Sequence, residues 1–105
     1  MDTHLASRLL AAARAGDVER VRALVPRAGI PEEDGAPDAP SGITPLMAAA
    51  ARGHEAVVEA LLERGADAAK RDARGRRAAA HARAAGHAHL AQRLDMVVDK
   101  DQTIW

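Results

Sequence analysis

Histidines, arginines and carboxylates are the side chains here that could do chemistry, and their spacing decides which chemistry is open to them. His87 and His89 stand two apart, which on a helix turns them to different sides, and there is no i, i+4 histidine pair and no His-Glu-x-x-His arrangement. That pattern points to no metal site. With no cysteine, thiolate ligands and disulfides are excluded as well. Ser7 is read at a helix-capping position and Ser41 in a proline-rich loop, and neither has the strand-turn-helix elbow that exposes a nucleophile. Glu32 and Glu33 are adjacent carboxylates, but a flexible loop does not hold an acid and a base in fixed geometry. No glycine-rich phosphate loop is present. The expectation is a protein that is not an enzyme and takes no cofactor and no metal.

Arginine is the remaining chemistry. Fifteen basic and fifteen acidic residues cancel over the 105-residue chain, yet positions 64–93 hold eight basic and two acidic residues, whereas 30–41 hold four acids and no base. Two readings stay open for the basic stretch: a contact surface for an acidic partner, and a solvated turn in an Ala- and Arg-rich chain. Nucleic acid is the weaker idea, because Trp105 is the only Phe, Trp or Tyr in the chain and the basic stretch has no such ring to stack on bases.

The elements that position these residues follow from an internal repeat. Gly53-His54 recurs as Gly86-His87, and Gly42 as Gly75, both 33 residues apart. Thr44 can cap a helix whose first position suits Pro45, and the spacing predicts that helix over 46–51, closed by Gly53. A second helix is predicted over 55–64, with Val57, Val58, Leu61 and Leu62 on one stripe and Glu55, Glu59 and Glu63 opposite. Gly65 ends it, and Asp72 to Gly75 reads as a tight turn leading into another unit. A chain 48% hydrophobic but with one aromatic residue must build its core from closely approaching Ala-rich helices.

The unit "GITPLMAAAARGHEAVVEALLERGADAAKRDARG" resembles the ankyrin repeat, with "GITPL", "GHEAVVEALLERGAD" and "DARG" in register. The main departure is Met47, where the family usually has His, a change that loses a hydrogen-bonding group and keeps a packable side chain. The resemblance implies an all-α ankyrin-repeat solenoid of about three helix-turn-helix repeats with β-hairpin or finger loops, in a single domain. Repeat 1 is placed at about 5–41, repeat 2 at about 42–74, repeat 3 at about 75–95, and a tail at 96–105.

In the first copy Gly16-Asp17 falls on Gly53-His54, Val21 on Val58, Leu24 on Leu61, Val25 on Leu62, and Ser7 on the capping Thr44. Its spacing is longer, and the extra residues belong to "PRAGIPEEDGAPDAPS" at 26–41, a long acidic finger whose prolines bar it from helix interiors. In the third copy Leu90, Ala91 and Leu94 keep the outer stripe, while Arg77 sits at the cap position, His81 and Arg83 fall on Ala48 and Ala50, and Asp95 replaces Leu62. A terminal repeat has no neighbour on one side, so polar substitution suits it, and its weak cap makes it the repeat expected to open first. Met96, Val97, Val98, Ile104 and Trp105 are expected either to fold back over that end after about one more helical turn or to form a free tail.

By position, the resemblance assigns Thr44, Pro45, Leu46, Gly53, His54, Gly65, Asp72, Gly75, Gly86 and His87 to the scaffold. It assigns partner contact to Arg14, Ile43, Ala51, Arg52, Lys70, Arg71, Ala73, Arg74, Arg76 and Ala84. Lys70, Arg71, Arg74 and Arg76 are expected exposed and close together on the second finger, and Ile43 either exposed or packed at the finger's base. The expected function is protein binding without catalysis, as an adaptor, an inhibitor of the immunity type, or a self-associating subunit, monomeric or weakly dimeric. The charged N-terminus is not a secretory signal, and no apolar run approaches the roughly 20 residues of a membrane span. A cytoplasmic protein from a GC-rich bacterial genome is the default.

Overall fold

The computed structural model describes residues 5–25 and 42–102, with side chains for 8–25 and 42–98. The acidic finger at 26–41 and the residues Ile104 and Trp105 lie outside them. The described residues form α1 (Leu5–Ala15), α2 (Val18–Leu24), α3 (Pro45–Ala51), α4 (Glu55–Glu63), α5 (Ala78–Ala84) and α6 (Ala88–Gln102). Each consecutive pair is one helix-turn-helix unit. The first helices stack as an inner layer, α3 between α1 and α5, and α4 packs on both α3 and α2.

The local chemistry of the middle unit explains its sharp start. Thr44 is extended (φ −94°, ψ 163°), and its hydroxyl accepts the Met47 amide at 3.2 Å. The Thr44 amide in turn donates to the Met47 sulfur at 3.5 Å, so Met47 keeps a weak acceptor as well as a buried side chain. Pro45 fixes the boundary, because a proline ring bars the preceding residue from helical backbone. In the first copy that bar is missing: Arg8 follows Ser7, α1 starts already at Leu5, and Ser7 is a helix-interior residue rather than a cap.

The core is a sheet of small contacts with a few larger anchors. Ala13, Ala49, Ala50, Ala60, Ala82 and Ala91 are fully buried, as are Val21, Val57, Val58, Leu61 and Leu94. The outer stripe of the first copy differs from α4 in its last turn. Val25 is buried and Leu24 half-buried, the reverse of Leu61 and Leu62, because Val25 leaves the helix in extended backbone (φ −91°, ψ 114°) and swings its side chain inward.

Two expectations about the third repeat are revised. α6 continues to Gln102, about two turns past residue 95, and residues 96–98 stay on the helix instead of folding back. Val98 closes on the core and Val97 is half-buried against it, whereas Met96 is 65% exposed and covers nothing. The polar replacements on this repeat turn out to be partners: Arg83 donates to Asp95 at 2.6 Å across α5 and α6. In repeat 2 the equivalent Ala48 and Ala50 are buried and Leu62 is half-buried. The pair is exposed and worth at most about 1 kcal/mol.

Arg77 occupies the start of α5 in extended backbone without a side-chain cap, and its Nε is buried with no hydrogen-bond partner among the described residues. Replacing Arg77 by Thr together with Ala78 by Pro is expected to stabilise the fold by about 0.5–2 kcal/mol. Amide hydrogen exchange should show residues 78–94 as the fastest-opening helical segment in the parent chain and slowed in the R77T/A78P variant. Protection there exceeding that of α3 and α4 would contradict this.

Candidate interaction surface

The chain between α4 and α5, residues 64–77, contains no strand, so this finger is a set of turns rather than a β-hairpin. Asp72 organises it. Its amide donates to the Arg76 carbonyl at 2.9 Å, and the Gly75 amide donates to the Asp72 carbonyl at 2.9 Å. The carboxylate Oδ1 accepts the amides of both Arg74 and Arg76, each at 2.9 Å. Oδ2 lies 2.9 Å from His81 Nε2 on α5 and 3.8 Å from Arg76 Nε. Gly75 completes the reversal at φ +80°, a conformation that costs glycine nothing. Asp72 is the one buried charged residue among those described.

A carboxylate held by two amides and an imidazole is stabilised in its charged form. The Asp72 carboxyl is accordingly lowered from its ordinary value, by the Arg76 amide foremost, against the opposing effect of burial, with the Arg74 amide and His81 adding to it. A depressed folded-state value means that this contribution to stability is fully present above the unfolded-state value, about 3.9. It is lost as pH falls from there through the folded-state value. Urea melts are expected to show stability dropping below about pH 4, with a smaller drop in Asp72→Asn. An Asn variant that keeps the whole acid dependence would contradict the assignment.

The proposed contact residues separate on this frame. Arg71, Ala73 and Arg74 are exposed on the turn, and Arg14, Arg52 and Ala84 are exposed at the ends of the inner helices, with Ala51 half-buried beside them. Lys70 and Arg76 are half-buried rather than exposed, and Arg76 is drawn onto Asp72. Ile43 is also half-buried: it packs against the core and against Leu10 and Ala48, so it belongs to the base of the finger and not to an exposed apolar spot. Gly42 brings the start of repeat 2 against the same turn, its Cα facing the backbone of Asp72 and Ala73.

The scaffold residues act between repeats. His54 Nε2 lies 3.0 Å from the Arg14 carbonyl at the end of α1, and its ring covers Gly16 so closely that a Cβ there would sit 2.8 Å from it. His87 covers Gly53 in the same way, at 2.7 Å, and among the described residues nothing stands over Gly86. Each histidine of a Gly-His pair thus covers the equivalent glycine of the preceding repeat, His54 on Gly16 and His87 on Gly53. The 33-residue recurrence carries that signal, though only stacking gives it a direction. Gly65 closes α4, where the Ala66 amide returns to the Leu61 carbonyl at 3.0 Å. The role of His81 escaped sequence reasoning, because nothing in a spacing of nine residues from Asp72 marks a contact.

Charge pairing separates the arginines into two sets. On the outer helices Arg20 pairs with Asp17, Arg22 with Glu63 and Arg93 with Glu59. No ion pair joins Arg14, Arg52, Arg71 or Arg74 to an acid among the described residues. The described residues hold no group of three or more metal-ligating side chains that could hold an ion, and no helix among them is long and apolar enough to cross a membrane.

A search of curated proteins finds no match to this chain. The family model for ankyrin repeats matches residues 9–102 as three copies. With the stacked helix pairs and the seated Gly-His contacts, that match places the chain in the ankyrin-repeat family.

Proposed function

We propose that this chain is a non-catalytic protein-binding module that grips its partner with the 71–74 turn and the exposed ends of the inner helices. Ankyrin repeats are generally protein-protein interaction modules and typically have no catalytic activity of their own. The single observation that supports this surface is a division among the arginines: Arg20, Arg22 and Arg93 on the outer helices pair with acids, whereas Arg14, Arg52, Arg71 and Arg74 pair with no acid among the described residues. Unpaired guanidinium groups on an ordered turn give an interface its on-rate and register. A monomer in the cytoplasm is part of the same reading, and the Arg83–Asp95 pair gives the last repeat a polar end that disfavours stacking of copies.

The test is affinity capture from the native host with the full chain as bait, repeated with R71A/R74A and with R20A/R22A, which removes the same charge from the outer side. Arg76 is left in place, because its substitution would disturb the turn. The parent and R20A/R22A chains are expected to retain a common protein that R71A/R74A loses. Capture of no protein by the parent, together with concentration-dependent mass showing self-assembly, would overturn the reading in favour of a structural subunit.

A further inference from the structure

The turn is not only basic but rigidly presented. Four hydrogen bonds converge within Asp72 to Arg76, from the Arg74 and Arg76 amides to Oδ1, from Gly75 to the Asp72 carbonyl, and from Asp72 to the Arg76 carbonyl. His81 anchors the same carboxylate to α5. The two exposed arginines sit on either side of this knot: Arg71 just before Asp72, and Arg74 within the reversal, its amide spent on Oδ1. The backbone from Asp72 to Arg76 is tied before anything binds, so less conformational freedom is lost when a partner engages the turn. Guanidinium groups present planar forks that match carboxylates in pairs.

Resting on the protein-binding reading, we propose that Arg71 and Arg74 form a preformed clamp for a carboxylate-rich segment of the partner protein, with Asp72 and His81 as its positioning residues. The alternative polyanion, a nucleic acid, is disfavoured because the turn carries no Phe, Tyr or Trp on which a base can stack, and the His81 ring is held against Asp72. Arg71 and Arg74 pair with no acid among the described residues, so a partner carboxylate can engage both guanidinium groups.

An oligoglutamate peptide titrated into the full chain, followed by amide chemical shifts, tests this, with a single-stranded oligonucleotide of matched charge alongside. Shifts centred on residues 71–76 are expected. The R71A/R74A variant should weaken peptide binding by about tenfold or more, and R20A/R22A by no more than about twofold. R71K/R74K keeps the charge and loses the forks, and is expected to fall between them. His81→Ala, which leaves both arginines in place, is expected to weaken binding and to speed exchange of the Arg74 and Arg76 amides together. No binding to the parent chain, equal loss in both alanine pairs, or an oligonucleotide bound more tightly than the peptide through the same residues would each overturn the clamp. If capture from the host yields a protein whose binding ignores R71A/R74A, the clamp falls while the protein-binding reading stands. If capture yields none, that reading falls first.

Discussion

Truncating Leu61 to alanine lowers the free energy of unfolding by about 2–5 kcal/mol, the range for a large buried aliphatic side chain whose neighbours cannot close the gap. Leu61 is fully buried on α4, the helix that packs on α3 within its own repeat and on α2 of the repeat before. The same core holds several fully buried alanines, Ala49, Ala50 and Ala60 among them. Backbones held close by alanine have little freedom to collapse further, so the cavity persists and the cost falls toward the upper end. A domain of this size has about 5–15 kcal/mol to lose, and the variant would be marginal or unfolded at physiological temperature. Urea denaturation of Leu61→Ala beside Leu62→Ala checks the phase of the helix, because Leu62 is only half-buried and its truncation should cost clearly less. The opposite order would mean that the inward stripe of α4 is assigned to the wrong residues.

Gly53→Ala is expected to cost about 2–3 kcal/mol, for two separable reasons. The backbone at Gly53 is left-handed at φ +74°, which an alanine adopts at about 1–2 kcal/mol. The new Cβ would also lie 2.7 Å from His87 Cε1, so the ring that covers this glycine must move. Gly86 isolates the first contribution: its φ is +89° and no described residue lies within 4 Å of its would-be Cβ, so Gly86→Ala should carry the backbone cost alone. A double-mutant cycle isolates the second. Once His87 is alanine the clash is gone, and Gly53→Ala should cost no more than Gly86→Ala does. Strict additivity of Gly53→Ala and His87→Ala would show that the histidine is not seated on the glycine.

These experiments address features of unequal legibility. The start and end of α3 were readable because Thr44-Pro45 and Gly53 restrict the backbone by themselves, whatever surrounds them. The start of α1 was not, because Ser7 caps only where the next residue forbids an earlier helix, and Arg8 forbids nothing. The outer stripes were readable from periodicity, yet Leu24 and Val25 exchanged places because one residue left the helix. The length of α6 was underestimated, since "MVVDKDQ" has no glycine or proline to stop it and Val98 finds the core at helical spacing from Leu94.

The candidate surface was readable in composition and less so in detail. A run of arginines announces charge without saying which guanidinium group is already engaged, and Arg76 and Asp72 meet only because the chain reverses between them. Repeat position leaves Ile43 either exposed or packed at the finger's base, and the packing that decides it comes from Leu10 and Ala48 on two other helices. His81 shows the same limit from the other side: a histidine in an alanine's place gained its role from the carboxylate that the turn delivers to it.

The most direct measurement is an amide chemical-shift map of the full chain titrated with the protein it captures from its host. Perturbations concentrated at residues 71–76 and at the ends of α1 and α3 around Arg14 and Arg52 are predicted, with α2 and α4 unchanged apart from general broadening. Perturbations concentrated on the outer helices, around Arg22, Glu59 and Glu63, with residues 71–76 unmoved, would contradict the account.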